Sequence, residues 1–173
     1  MSAAVAKAHQ TRPKIQRNYK VAVQYVCPRR GLPTRELLDT WVGTVLRFKS
    51  CTQVQLTLRI VDFDEGRTLN ETYRGKNGPT NVLSFPYEGP AFIVEQELGD
   101  IVICAPVVAL EAQQQNKNLS AHWAHLVVHG LLHLLGYDHI KKSDARIMEA
   151  AEINILKQLG FPDPYLAVND LMK

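Results

Sequence analysis

The chain has 173 residues, enough for one ordinary domain with a sizeable core. Apolar residues make up 46% and charged residues 21%, which excludes the low-hydrophobicity composition of a disordered chain and predicts a packed, soluble domain. The net charge of +3 rests on Lys7, Arg12, Lys14, Arg17 and Lys20 in an opening stretch without acids, and setting these five aside leaves the remainder near −2, so any nucleic acid must be met by a local patch or by this tail.

Residues 1 to about 18 show no hydrophobic periodicity and read as a mobile basic arm, with a single domain over residues 19–173. The opening lacks the apolar run of a secretory signal, and its Ser and Arg enrichment is slight for an organellar transit segment. Val21, Val23 and Tyr25 alternate with Ala22 and Gln24, predicting a first strand that ends near Cys27 and Pro28. Pro33 and Thr34 open a helix whose apolar face holds Leu37, Leu38, Trp41, Val45 and Phe48. From Gln53 to Asp62 the period returns to two, with Val54, Leu56, Leu58 and Ile60 on one face of a strand. A short helix over Asp64 to Tyr73 follows, then a turn-rich loop from Arg74 to Thr80, then strands over Asn81 to Phe85 and Asp100 to Cys104.

Pro106 suits the first turn of a helix reaching about Gln115. Ser120 is read as the N-cap of an apolar helix running to about Leu135, and Ser143 as the cap of a last helix containing Ile147, Met148, Ala151, Ile155 and Leu156. Gly160 and Pro162 mark its end. The apolar stretch Ala121 to Leu135 contains four histidines and is shorter than the ~18 to 20 residues of a membrane span, so it reads as a buried helix. Cys27, Cys51 and Cys104 are odd in number and form no Cys-x-x-Cys pair, which favours reduced thiols in a cytosolic protein.

The most informative feature is the spacing of His129, His133 and His139. Residues four apart on a helix lie one above the other, so His129 and His133 can aim at a common point. On a continuous helix His139 would lie about 15 Å from His129 at ~1.5 Å per residue, so the chain must turn back, and Gly136 allows that turn. Three neutral imidazoles suit one divalent ion, zinc best, and leave a coordination position open for water, which favours hydrolysis over a structural role. His122 and His125 extend the same stripe and read as supporting or core-edge groups; Asp138 reads either as an orienting partner for a ligand imidazole or as a turn-stabilising residue. The spacing is similar to that of the metzincin peptidases, but Gly130 stands where those enzymes carry their general-base Glu, so peptidase activity is not expected.

The stretch from His129 to His139 resembles the signature of the YbeY family of ribosome-associated endoribonucleases. Tyr73 to Lys76, Pro79 to Pro86 and Gly99 to Ile103 resemble two further blocks of that family, and the resemblance covers roughly residues 20 to 165. It implies an α+β fold with a small mixed sheet beside a metal-bearing central helix and flanking helices. It also implies a cytoplasmic metal-dependent hydrolase of single-stranded RNA that matures the 3′ end of small-subunit ribosomal RNA and serves ribosome quality control, with the small ribosomal subunit as partner and no membrane. Arg74 matches the family's functional arginine, and a guanidinium can hold a phosphodiester through two parallel hydrogen bonds. Lys76 reads as an exposed loop cation. The competing reading is an RNA or ribosome assembly factor whose metal only ties helix and turn together; a fourth protein ligand would favour it.

Overall fold

The computed structural model describes residues 18–90 and 96–166. Along the chain lie β1 (Tyr19–Tyr25), α1 (Arg35–Phe48), β2 (Val54–Val61), α2 (Phe63–Arg74), β3 (Val82–Pro86), β4 (Gln96–Cys104), α3 (Ala105–Gln114), α4 (Leu119–Leu134) and α5 (Lys142–Gln158). Residues 1–17 lie outside the described residues, so the expected arm falls there apart from Asn18.

The strands form one mixed sheet in the order β1-β2-β4-β3, with β1, β2 and β4 parallel and β3 antiparallel to β4 at one edge. Strand alternation sorts side chains between two layers of helices. Leu56, Leu58 and Ile60 of β2 enter a large core with Trp41, Leu38, Trp123, Leu131 and Ile155 from α1, α4 and α5. On the other face Val61, Leu83, Val102 and Cys104 form a smaller cluster with Leu69 of α2 and Val107 of α3. The sheet is therefore mixed and flanked by helices on both faces, in the class the sequence implied.

β4 begins four residues earlier than its alternation suggests. Gln55 pairs with Glu97 but Leu56 pairs with Gly99, so Leu98 is an inserted residue and β4 carries a bulge. The bulge switches the strand's parity, which is why Leu98 and Ile101 both reach the large core despite being three apart. Gly99 sits at this point with φ +121°, and a Cβ there would collide with the Phe85 carbonyl.

Two caps differ from the sequence reading. Helix α4 is capped by Asn118, whose side chain accepts from the Ala121 N–H at 3.1 Å, and Ser120 lies within the first turn. The amide oxygen three residues before Ala121 reaches that N–H, a position Ser120 does not occupy. Helix α5 starts one residue before Ser143 without a side-chain cap; Ser143 instead donates to Asp144, whose carboxylate faces the positive end of the helix. No helix among the described residues is long and apolar enough to cross a membrane.

Candidate metal centre

Helix α4 touches α1, α3, α5, β3 and β4, so most of its surface is core. Its one polar stripe carries His125, His129 and His133, each partly buried. The helix stops in a Schellman motif: Gly136 N–H bonds the His133 carbonyl at 3.0 Å and Tyr137 N–H bonds the Leu132 carbonyl at 3.0 Å. Gly136 takes φ +88°, the left-handed conformation that reverses the chain. Asp138 then accepts from the N–H groups of His139 and Ile140 at 2.7 and 3.2 Å, bending the chain so that His139 returns to the helix. Asp138 thus stabilises the turn and does not orient an imidazole.

The return stacks the His139 ring on His129, with centroids 5.5 Å apart, and sets it edge-on to His133 at 4.9 Å. One nitrogen from each of His129, His133 and His139 lies within 4.8 Å of the others. The Nε2 atoms of His129 and His133 are 3.1 Å apart. A tetrahedral ion with metal–nitrogen bonds of ~2.0 to 2.1 Å separates its donors by about 3.3 Å, so this spacing fits one small divalent cation. His133 Nδ1 donates to the Tyr137 carbonyl at 2.9 Å, and a carbonyl only accepts, so the neutral ring leaves its Nε2 lone pair facing the cluster. Burial, together with His129 nearby, lowers the His133 pKa below its usual value and favours this neutral form. His139 is exposed, so one side of the cluster opens to solvent.

Glu152 of α5, which sequence reasoning missed, is fully buried against this stripe. Its carboxylate takes His129 Nδ1 at 2.6 Å and His125 Nε2 at 3.2 Å, and the Tyr165 hydroxyl donates to it as well. Burial alone would raise its pKa, but the hydrogen bonds from His125, His129 and Tyr165 outweigh it and hold the carboxyl down at about 2. The Tyr165 hydroxyl is pushed up in turn by burial and by Glu152. The signal was present in the sequence: Glu152 lies four residues after Met148 and three before Ile155, on the apolar face of its helix. His122, about a turn before His125, is a separate buried group paired with Glu111 at 2.8 Å.

Gly130 faces the sheet. A Cβ there would stand 2.9 Å from Ile101 Cγ2 and 3.2 Å from Ser84 Oγ, and Ser84 donates to the Gly130 carbonyl at 3.0 Å. No glutamate side chain fits at this position, so the general base of the metzincin arrangement is sterically excluded.

Arg74 ends α2, is exposed and makes no hydrogen bond or ion pair among the described residues; it is not part of the histidine cluster. Lys76 is exposed too. The loop after Arg74 is shaped by Asn70, buried, whose amide donates to the carbonyls of Lys76 and Gly78 at 3.2 and 2.7 Å. Helices α2 and α4 cover opposite faces of the sheet and both meet edge strand β3: Tyr73 packs edge-on against Phe85 at 5.0 Å, and Gly130 bonds Ser84. Arg74 and the histidines therefore sit on helices that cover opposite faces of the sheet, both beside β3, the edge strand among the described residues.

Comparison with known proteins adds two findings. The family model described as Endoribonuclease YbeY matches residues 31–160. The fold is similar to the solution structure of TM1509 from Thermotoga maritima, with a TM-score of 0.54 and 23% identity over 84% of this chain and 99% of that one. At that identity the second likeness speaks for the fold alone.

Proposed function

The chain belongs to the YbeY endoribonuclease family, and from that premise we propose that it cleaves single-stranded RNA with one divalent metal ion, zinc for preference, held by His129, His133 and His139. The observation that carries this reading is the convergence of three imidazoles at the end of α4, two with Nε2 atoms 3.1 Å apart, on a side open to solvent. When bound, the ion supplies Lewis acidity that makes water nucleophilic near neutral pH and offsets charge on the phosphate.

The chain's own residues do the rest. His129 and His133 are fixed by the helix, and His139 is returned by the Gly136 and Asp138 turns, so the donor set is organised before any ligand arrives. Arg74 is free to take a phosphodiester through two parallel hydrogen bonds, an arrangement that also stabilises the extra charge of the pentacovalent transition state. An extended RNA backbone passing the free edge of β3 reaches both sides of that strand, which suits a single strand better than a stiff duplex. The substrate in the cell is taken as small-subunit ribosomal RNA, matured at its 3′ end in the cytoplasm, with the small ribosomal subunit as partner and ribosome quality control as the wider role. Residues 19–173 are taken as one metallohydrolase domain and residues 1–18 as its arm.

The test is cleavage of a labelled single-stranded RNA by purified protein, beside His133→Ala, Arg74→Ala and a metal-depleted sample. Loss in all three, with recovery when zinc is returned to the depleted sample, is expected. Equal cleavage in every sample, each checked for folding, would assign the activity to a contaminant and sink the reading.

A further inference from the structure

Glu152 is the only fully buried carboxylate among the described residues, and nothing in the catalytic proposal uses it. Its neighbours along α5, Met148, Ile155 and Leu156, are core side chains, so an apolar residue would suit the position as far as packing is concerned. Being buried, it cannot touch a substrate. It could act as a ligand with His125 and His129, whose nitrogens lie within 4.8 Å of it, but both of its oxygens are already engaged by N–H and O–H donors.

The geometry points to Glu152 as a positioning residue that fixes the His129 ring with its proton on Nδ1 and its Nε2 lone pair beside that of His133. The inference rests on the reading of His129 as a metal ligand. A carboxylate accepts and does not donate, so the ring nitrogen 2.6 Å from Oε1 must carry the hydrogen. In a neutral imidazole that leaves Nε2 unprotonated, and Nε2 is the atom 3.1 Å from His133 Nε2. His133 reaches the same state through the Tyr137 carbonyl, so two different acceptors set two rings to one tautomer. His125 and Tyr165 hold the other carboxylate oxygen, which keeps the plane of the group turned so that Oε1 stays on His129. Tyr165 follows α5, so the segment after the last helix helps to hold the metal helix in register.

The test uses the full chain with labelled imidazole nitrogens. Long-range proton–nitrogen correlations on the zinc-free protein read the tautomer of His129 directly, and competition with a chromogenic chelator reads the zinc Kd. The wild-type ring is expected in the Nδ1–H form. Glu152→Gln is expected to lose that preference and raise the zinc Kd roughly 10- to 100-fold, leaving the His133 tautomer unchanged. Tyr165→Phe, which removes one donor from the far oxygen, is expected to raise the Kd by less. An Nε2–H tautomer at His129 in the wild-type protein overturns the inference without any variant needing to fold. So does a Glu152→Gln protein that keeps both the tautomer and a Kd within about two-fold of wild type. A wild-type protein that shows the Nδ1–H form yet binds no zinc refutes the metal reading while supporting the positioning role of Glu152.

Discussion

Replacing Gly130 by alanine sets two effects of opposite sign against each other. Alanine in a helix interior gains ~1 kcal/mol over glycine by reducing the freedom of the unfolded chain. Here the added Cβ would lie 2.9 Å from Ile101 Cγ2, 3.2 Å from Ser84 Oγ and 3.4 Å from Val82 Cγ2. Ile101 is fully buried and β-branched, so its methyl cannot swing aside, and α4 must move off the sheet. Overpacking of this kind costs about 1 to 3 kcal/mol, and loosening the bond from Ser84 to the Gly130 carbonyl adds ~0.5 to 1.5 kcal/mol. The steric cost wins, for a net loss of about 2 kcal/mol, which lowers Tm by roughly 4 to 8 °C in a chain of this size. Thermal melts of the metal-free Gly130→Ala protein, followed by far-UV circular dichroism, measure this. A variant that melts at or above the parent temperature would refute the close packing of α4 on β3 and β4.

Arg74→Lys keeps the charge but not the planar fork, and is expected to lower kcat/KM for RNA by about 10- to 100-fold. Its Tm should hold within what ~0.5 kcal/mol allows, since Arg74 is exposed; steady-state cleavage and a melt check both parts. Zinc at about a hundred times its Kd should stabilise the protein by ~2.7 kcal/mol, a rise in Tm that chelation reverses and that His133→Ala lacks. Burial lowers the pKa of His122 from 6.5, against the pull of Glu111 and with His125 and Lys117 nearby. The unfolded chain therefore binds the proton first on acidification, so the stability is fully present above pH 6.5 and is lost as pH falls toward the lowered folded value. This one group contributes a slope of at most about 1.4 kcal/mol per pH unit, and denaturant titrations between pH 5 and 8 should show a flatter dependence in His122→Gln.

The parts of the site that were legible in the sequence are those that local geometry dictates. Two histidines four apart on a helix, a glycine that can take positive φ and a third histidine just beyond it define a return without knowledge of the rest of the chain. The alternation of β2 was legible for the same reason, since a strand with one apolar face encodes its own orientation. What was hidden depends on residues far apart in sequence. Leu98 lies outside the strand that the alternation suggests, and only the pairing of β2 beside it reveals both the longer strand and the bulge. Ser120 and Ser143 have the chemistry of caps, but the registers of α4 and α5 give the cap positions to Asn118 and Lys141.

Glu152 stands 23 residues after His129, on another helix, and only the packing of α5 against α4 brings its carboxylate to the ring. The same packing explains Gly130. A helix that carries its histidines on one stripe and presses its opposite side against the sheet has no room for a base beside His129, because residue 130 points into the core. In the proposed mechanism the group that holds the phosphate therefore comes from another element. Arg74, exposed at the end of α2 on the far side of β3, is the cation proposed for that purpose. The division of labour follows from the burial of α4 and not from any single motif.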